Sequence, residues 1–154
     1  MLNMGEYGEL TKSSPTTVPN GGATVPGVIS TYVAGLSRYT VLDAANGRIK
    51  LAKGKHLVRA HIGATVATAD AEASVYIGTR SNGAVTLVTK SQAKGHVLNG
   101  DPTSITSEAI VESDGETEVL ALIANEDSGN VITVHTAQLL AIGLDTEPPR
   151  PGTP

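Results

Sequence analysis

The segment 42–66, LDAANGRIKLAKGKHLVRAHIGATV, constrains the chain more than any other. From residue 57 onward its apolar side chains recur at every second position. Val58, Ala60, Ile62, Ala64 and Val66 share one face of an extended chain, with Leu57, Arg59, His61 and Thr65 on the other. That period of two specifies a strand with one buried face. Just upstream, Ile49 and Leu51 alternate with Arg48, Lys50 and Lys53 in the same way. Asn46-Gly47 tolerates positive φ and reverses the chain, and Lys53-Gly54-Lys55 turns it again. Two strands joined by a tight turn are therefore expected here.

The rest of the sequence continues in the same idiom. No proline occurs between Pro26 and Pro102, as befits central strands whose N–H groups are all needed in ladders. Residues 28–33 are apolar enough to start a strand, and 39–42 continue it. Residues 67–73 suit a loop. Ala73, Val75 and Ile77 alternate with Ser74 and Tyr76, and Ser81-Asn82-Gly83 turns that strand into a partner over 84–90, a hairpin. Residues 91–103 form a longer loop. Strands over 104–112 and 116–124 flank Ser113-Asp114-Gly115. A last strand, 130–144, is apolar on both faces, Ile132, Val134, Leu140 and Ile142 against Val131, Ala137, Leu139 and Ala141. About eight short strands punctuated by turns predict an all-β fold, an antiparallel two-sheet jelly-roll sandwich, over 27–144. The Gly-, Thr-, Ser- and Pro-rich residues 1–26 read as an extended arm, and 145–154 as a Pro-rich tail.

Aromatic residues make up 3% of the chain: four Tyr, no Phe and no Trp. Small aliphatic side chains must fill the core, and each buries less apolar area than a ring, so a lone subunit is weakly stabilised. Self-association compensates, and a last strand apolar on both sides needs a cover for its second face. These features predict a homotrimer with 130–144 near the three-fold axis. Its interface is expected to hold Ile132, Val134, His135, Ala137, Leu139 and Ala141, together with His61. The net charge of −4 is unevenly spread. Residues 48–94 carry eight Lys and Arg, whereas 95–149 carry none against ten Asp and Glu. Such asymmetry suits either complementary contacts or solvated faces. An acidic chain with only Tyr76 in its basic stretch does not suit nucleic acid. Cysteine is absent, which excludes disulfides and thiolate metal sites. No apolar run is long enough to span a membrane, and the N-terminus does not resemble a signal peptide.

Several turns and strands resemble those of the jelly-roll heads of the tumour necrosis factor and complement globular-head superfamily. Asp43, Asn46-Gly47-Arg48, Ile49-Lys50-Leu51, Gly54 and His56-Leu57-Val58 follow the order of that superfamily's first motifs. Val75-Tyr76-Ile77 with Asn82-Gly83 resembles its hairpin, and Asp114-Gly115 before Val119-Leu120-Ala121-Leu122 its Gly-Asp turn with the two residues reversed. Residues 136–144 resemble its closing strand. Where that superfamily carries aromatic residues, this chain has Ile49 and His56. The resemblance covers roughly 39–144 and implies a jelly roll of this type. Bacteriophage virion proteins with such heads exist. The chain, rich in Ala, Thr and Gly, looks most like those used as capsid decorations.

Chemistry-bearing constellations are absent from the sequence. His56, His61, His96 and His135 lack zinc-ligand spacing, although a three-fold axis would gather copies of His61 or His135. Residues 125–130 offer oxygen ligands without the alternation of a calcium loop. Neither a nucleophile elbow nor a phosphate-binding Gly loop occurs, so no enzyme, cofactor or metal is expected. The resemblance implies a trimeric capsid-decoration (cement) protein, made in the host cytoplasm and placed on the virion surface. Its partner would be the major capsid protein, held through arm anchors Tyr7, Leu10, Val18 and Val25. A host-recognition fibre tip that binds glycan or receptor is the alternative, disfavoured by the scarcity of aromatics.

Overall fold

Alternating side chains give each sheet one apolar face that needs a cover, and the chain supplies it by folding one sheet onto another. The computed structural model describes residues 6–18, 27–66, 71–125 and 131–146. Sheet I runs in the order β11 (Thr103–Ser113), β7 (Gly54–Val66), β13 (Ile132–Thr146), β1 (Tyr7–Lys12) and β4 (Val33–Arg38), with β2 (Thr16–Val18) beside the start of β13. Sheet II runs β10 (Ala93–Val97), β8 (Ala71–Ser81), β12 (Glu118–Asn125), β6 (Arg48–Lys50) and β5 (Val41–Asp43). In it β3 (Gly27–Val28) pairs with β12 and β9 (Ala84–Leu87) with β8. The pairings between these strands are antiparallel. The fold is the expected two-sheet jelly-roll sandwich.

Between the sheets lies a core of small and medium aliphatic side chains. Val58, Ala60, Ile62, Ala64 and Val66 of β7 are all buried, as their spacing requires. Facing them from sheet II are Ala71, Ala73, Val75 and Ile77 of β8 and Val119, Ala121 and Ile123 of β12. The hairpin at Asn82-Gly83 forms with both residues at positive φ, the geometry that matches strand twist. Gly47 also has positive φ, and a Cβ there would strike the main-chain oxygen of Ile29, so only glycine fits.

Three expectations need correction. The turn at Lys53-Gly54 does not join a hairpin: β6 belongs to sheet II and β7 to sheet I, so the chain crosses the sandwich there. The Asp114-Gly115 turn likewise carries β11 of sheet I into β12 of sheet II. Turn chemistry reverses a chain equally well within a sheet or between sheets. The loop expected over 91–103 contains β10, and one turn of 3-10 helix, Thr89–Ser91, separates it from β9. Its weakly apolar sequence, AKGHV, gave little sign of a strand, and its place is set by pairing with β8.

The third correction concerns the N-terminal arm. Tyr7–Lys12 is an interior strand of sheet I, paired with β13 on one side and β4 on the other. Leu10 is fully buried and Val18 nearly so, which makes both core residues and removes them from any capsid-contact surface. Tyr7 lies half-buried on the solvent face of the sheet. Val25 and the tail 147–154 lie outside the described residues. Lys12 points inward, its ammonium donating to Ser14 Oγ at 3.3 Å and the Thr31 carbonyl at 3.2 Å.

Because Leu10 sits in the core, Leu10→Ala should cost about 2–5 kcal/mol, the range for deleting a buried leucine side chain. Urea unfolding at neutral pH measures this. A change within about 0.5 kcal/mol, as for an exposed residue, would return the segment to a free arm.

Candidate functional site

The solvent face of sheet I is the most structured candidate surface among the described residues. Cross-strand register builds it in rows. One row runs Ile110, Leu57, Ile142, Tyr7 and Arg38 across β11, β7, β13, β1 and β4. Four adjoining strands thus place large apolar side chains side by side, with Ile110 64% exposed. The next row reads Glu108, Arg59, Leu140 and Glu9, and the one after it Thr106, His61, Gln138, Thr11 and Val33.

Polar groups beside the apolar row are tied to one another. Arg59 Nε lies 2.7 Å from Glu108 Oε1, an exposed ion pair of small intrinsic worth. Gln138 donates to Glu9 Oε2 at 3.1 Å. His61 Nδ1 and the Thr106 hydroxyl share a hydrogen bond at 2.7 Å, and His135 Nε2 and the Thr65 hydroxyl one at 2.6 Å. These cross-strand bonds fix side-chain directions before any partner arrives, which lowers the ordering cost of association.

The interface assigned from sequence is mostly on the wrong side of β13. Ile132, Val134, Ala137, Leu139 and Ala141 all face the core and are buried. A β-bulge causes the discrepancy. The β13–β7 register shifts between Val134 and Thr136, so His135 is an extra residue and the side-chain alternation changes phase there. Leu140 and Ile142 consequently face solvent, where strict alternation had grouped them with Ile132 and Val134. His61 does lie on the solvent face, and His135 is half-buried beside it. Sequence reasoning missed Leu57, Ile110, Leu140, Ile142 and Tyr7 as one surface. The signal was present as apolar residues on the polar face of each strand.

The remaining candidates form no catalytic arrangement among the described residues. No group of three or more His, Cys, Asp or Glu side chains that would hold a metal occurs among the described residues. Asp114 is exposed, and hydrogen bonds from Glu116 N–H and Thr117 hold its carboxyl below the ordinary range, the signature of a capped turn. Residues 126–130 of the acidic loop lie outside the described residues. Two of the buried titratable groups, His56 and Glu6, lie close together. His56 and Glu6 flank Gly143 across sheet I, both almost wholly inaccessible. His56 Nε2 lies 2.9 Å from the Ala52 carbonyl, while its Nδ1 and both Glu6 oxygens lack a hydrogen-bond partner. Burial lowers the pKa of His56 and raises that of Glu6.

No family model matches the chain, and no curated protein matches it. Solved structures do. The globular domain of zebrafish complement 1qA superposes with a TM-score of 0.65 at 6% identity, covering 92% of this chain and 99% of that one. Eiger TNF from S. frugiperda gives 0.64 at 11% identity, covering 97% and 99%. Murine APRIL at pH 5.0 gives 0.61 at 9% identity, covering 90% and 98%. The chain has the jelly-roll sandwich fold of the tumour necrosis factor and complement-head type.

The buried pair makes stability depend on pH in two opposite ways. For His56, whose folded value is depressed, stability is full above about pH 6.5 and is lost as pH falls below it. His56→Phe should flatten the loss in melting temperature between about pH 6.5 and pH 5, measured by circular dichroism; an unchanged slope would contradict this. For Glu6, whose folded value is raised, stability is greatest below its ordinary 4.5 and is lost as pH rises through the folded value. Glu6→Gln should therefore raise the melting temperature at neutral pH, with the gain shrinking in acid. An equal gain at every pH would show that ionisation is not its cause.

Proposed function

We propose that the chain is a non-catalytic structural head that forms a homotrimer through the solvent face of sheet I. The apolar row Ile110, Leu57, Ile142 and Tyr7 carries this reading. Jelly-roll heads of this type commonly form homotrimers. The row gives each copy an apolar band with a fixed polar margin, as protein interfaces have a dry centre and a wet rim. A core built from small side chains leaves a lone subunit little margin, so association adds to stability by mass action.

In this reading the trimer decorates a virion surface and its partner is the major capsid protein. What supports the role is the resemblance of this Ala-, Thr- and Gly-rich sequence to phage decoration heads, together with a surface that offers contacts in place of chemistry. Three identical heads on one axis would bind a repeating shell at high effective concentration, so weak individual contacts suffice. The arm residues Leu10 and Val18 contribute to the core, and the shell contact is assigned to exposed parts of the head.

Light scattering of the isolated protein should give three times the 15.7 kDa subunit mass. Ile142→Asp, on the outer face, should lower that mass to one subunit while the circular dichroism spectrum is retained. Leu139→Asp, in the core, should unfold the chain, because an unpaired buried charge costs several kcal/mol. A wild-type monomer at micromolar concentration, or a trimeric Ile142→Asp variant, would remove the interface. The capsid role is tested separately: the trimer should co-sediment with shells lacking the native decoration. If it stays in the supernatant over saturating shells, the decoration reading fails and the trimer stands alone.

A further inference from the structure

Asparagine followed by glycine is chemically labile, because no side chain on the glycine keeps its main-chain nitrogen from the asparagine Cγ. Three such pairs, Asn46-Gly47, Asn82-Gly83 and Asn99-Gly100, lie among the described residues, and Asn20-Gly21 lies outside them. Asn46 is held by Asp43, its Nδ2 donating to Oδ2 at 2.9 Å and its main-chain N–H to Oδ1 at 3.3 Å. The turn around it is tied down as well. The N–H groups of Thr31 and Tyr32 donate to the Ala45 and Ala44 carbonyls at 3.1 Å and 2.8 Å. Asn99 forms a β-bridge with Val66, and nothing lies within 4 Å of where a Cβ on Gly100 would stand.

Asn82 is placed differently. It is exposed at the tip of the β8–β9 hairpin, with φ 52° at Asn82 and 83° at Gly83. Strand β9 has four residues, three of them exposed, and pairs with β8 alone. Ring closure requires Asn82 to leave the left-handed region, and a tip carried by so short and exposed a strand opens at little cost. Arg80 lies over this turn. Its Nη1 is paired with Glu118 Oε1 at 2.6 Å, and its Nη2 would stand 3.9 Å from a Cβ on Gly83. The group bound to Asn46 is instead a carboxylate.

We infer that Asn82 is a site of spontaneous covalent modification, at which the side-chain amide becomes a carboxylate with Arg80 assisting. The only co-reactant is water. The Gly83 main-chain nitrogen gives its proton to solvent base and attacks Asn82 Cγ. A C–N bond forms, the Cγ–Nδ2 bond breaks, and the amide nitrogen leaves as ammonia. Water then adds to either carbonyl of the cyclic imide, opening it to aspartate or to its β-linked isomer. Negative charge develops on the Gly83 nitrogen and then on the Cγ oxygen, where a guanidinium already in position stabilises it. The product carboxylate falls within reach of Arg80 and competes there with Glu118. The β-linked isomer also lengthens the main chain inside a turn whose length sets the β8–β9 register. Both changes fall on sheet II, so they alter the charge of that sheet and leave the solvent face of sheet I as it was.

Peptide mapping by mass spectrometry, over a time course of the folded full-length protein at mildly alkaline pH, tests this. Asn82 should convert ahead of Asn46 and Asn99, giving both aspartate and the β-linked isomer. Arg80→Gln should slow the conversion about fivefold, the effect of a unit charge ~4 Å away in water. Glu118→Gln leaves the Arg80 charge without its counter-ion and should speed it. Both substitutions remove the same ion pair, so loosening of the hairpin alone would speed both, and opposite signs identify the charge as the cause. Conversion of Asn46 or Asn99 at an equal or higher rate in the wild type would overturn the inference. So would an Arg80→Gln variant that converts as fast as the wild type or faster.

Discussion

The antiparallel ladder between Gly54–Val66 and Ile132–Thr146 holds the rest of the molecule in place. It spans the full length of both strands and occupies the middle of sheet I. β11 attaches to the free side of β7, and β1 and β2 attach to the free side of β13. The ladder also decides which residues meet the core. Its bulge at His135 turns Ala137, Leu139 and Ala141 inward in phase with Ile132 and Val134, and turns Leu140 and Ile142 out. Removing that extra residue would exchange the core and solvent faces over the second half of β13.

A core of small residues shapes the energetics. Ala60, Ala64, Ala71, Ala73, Ala121, Ala137 and Ala141 are all buried in it. Each missing methylene forgoes about 0.8 kcal/mol of burial, so the interior is economical in volume and modest in stability. His56 adds to the deficit. It brings a buried nitrogen with no partner. In the proposed trimer, association through the outer face of the same sheet would restore what the core withholds, and the apolar row is located where it could do so.

Much of this was legible in the sequence, and the failures have physical causes. β7 and the Asn82-Gly83 hairpin were plain because their alternation is strict and their turn residues specific. β1 was not, because YGELTK presents Gly8, Leu10 and Lys12 to the interior, and only Leu10 looks like a core residue. Gly8 fits because Thr40, Leu42 and Ile49 of the opposite side fill the space a side chain would take. Such a strand is specified by its neighbours, and a local pattern cannot show it. The faces of β13 were misassigned for a related reason: a bulge leaves no mark in a run of apolar residues. The surface of sheet I was hidden because its members, from Tyr7 to Ile142, come together only through register.

In the proposed trimer one strand, β13, buries Leu139 in its own subunit and Ile142 against another. Thiol labelling of two single-cysteine variants, Leu139→Cys and Ile142→Cys, across a dilution series distinguishes the two sites. Both sites should be protected at high protein concentration. On dilution Ile142→Cys should begin to react at the concentration where the assembly dissociates, while Leu139→Cys stays protected until the subunit unfolds. Concentration-independent labelling of Ile142→Cys would contradict the interface, and simultaneous exposure of both sites would contradict the division of the strand into a core face and a contact face.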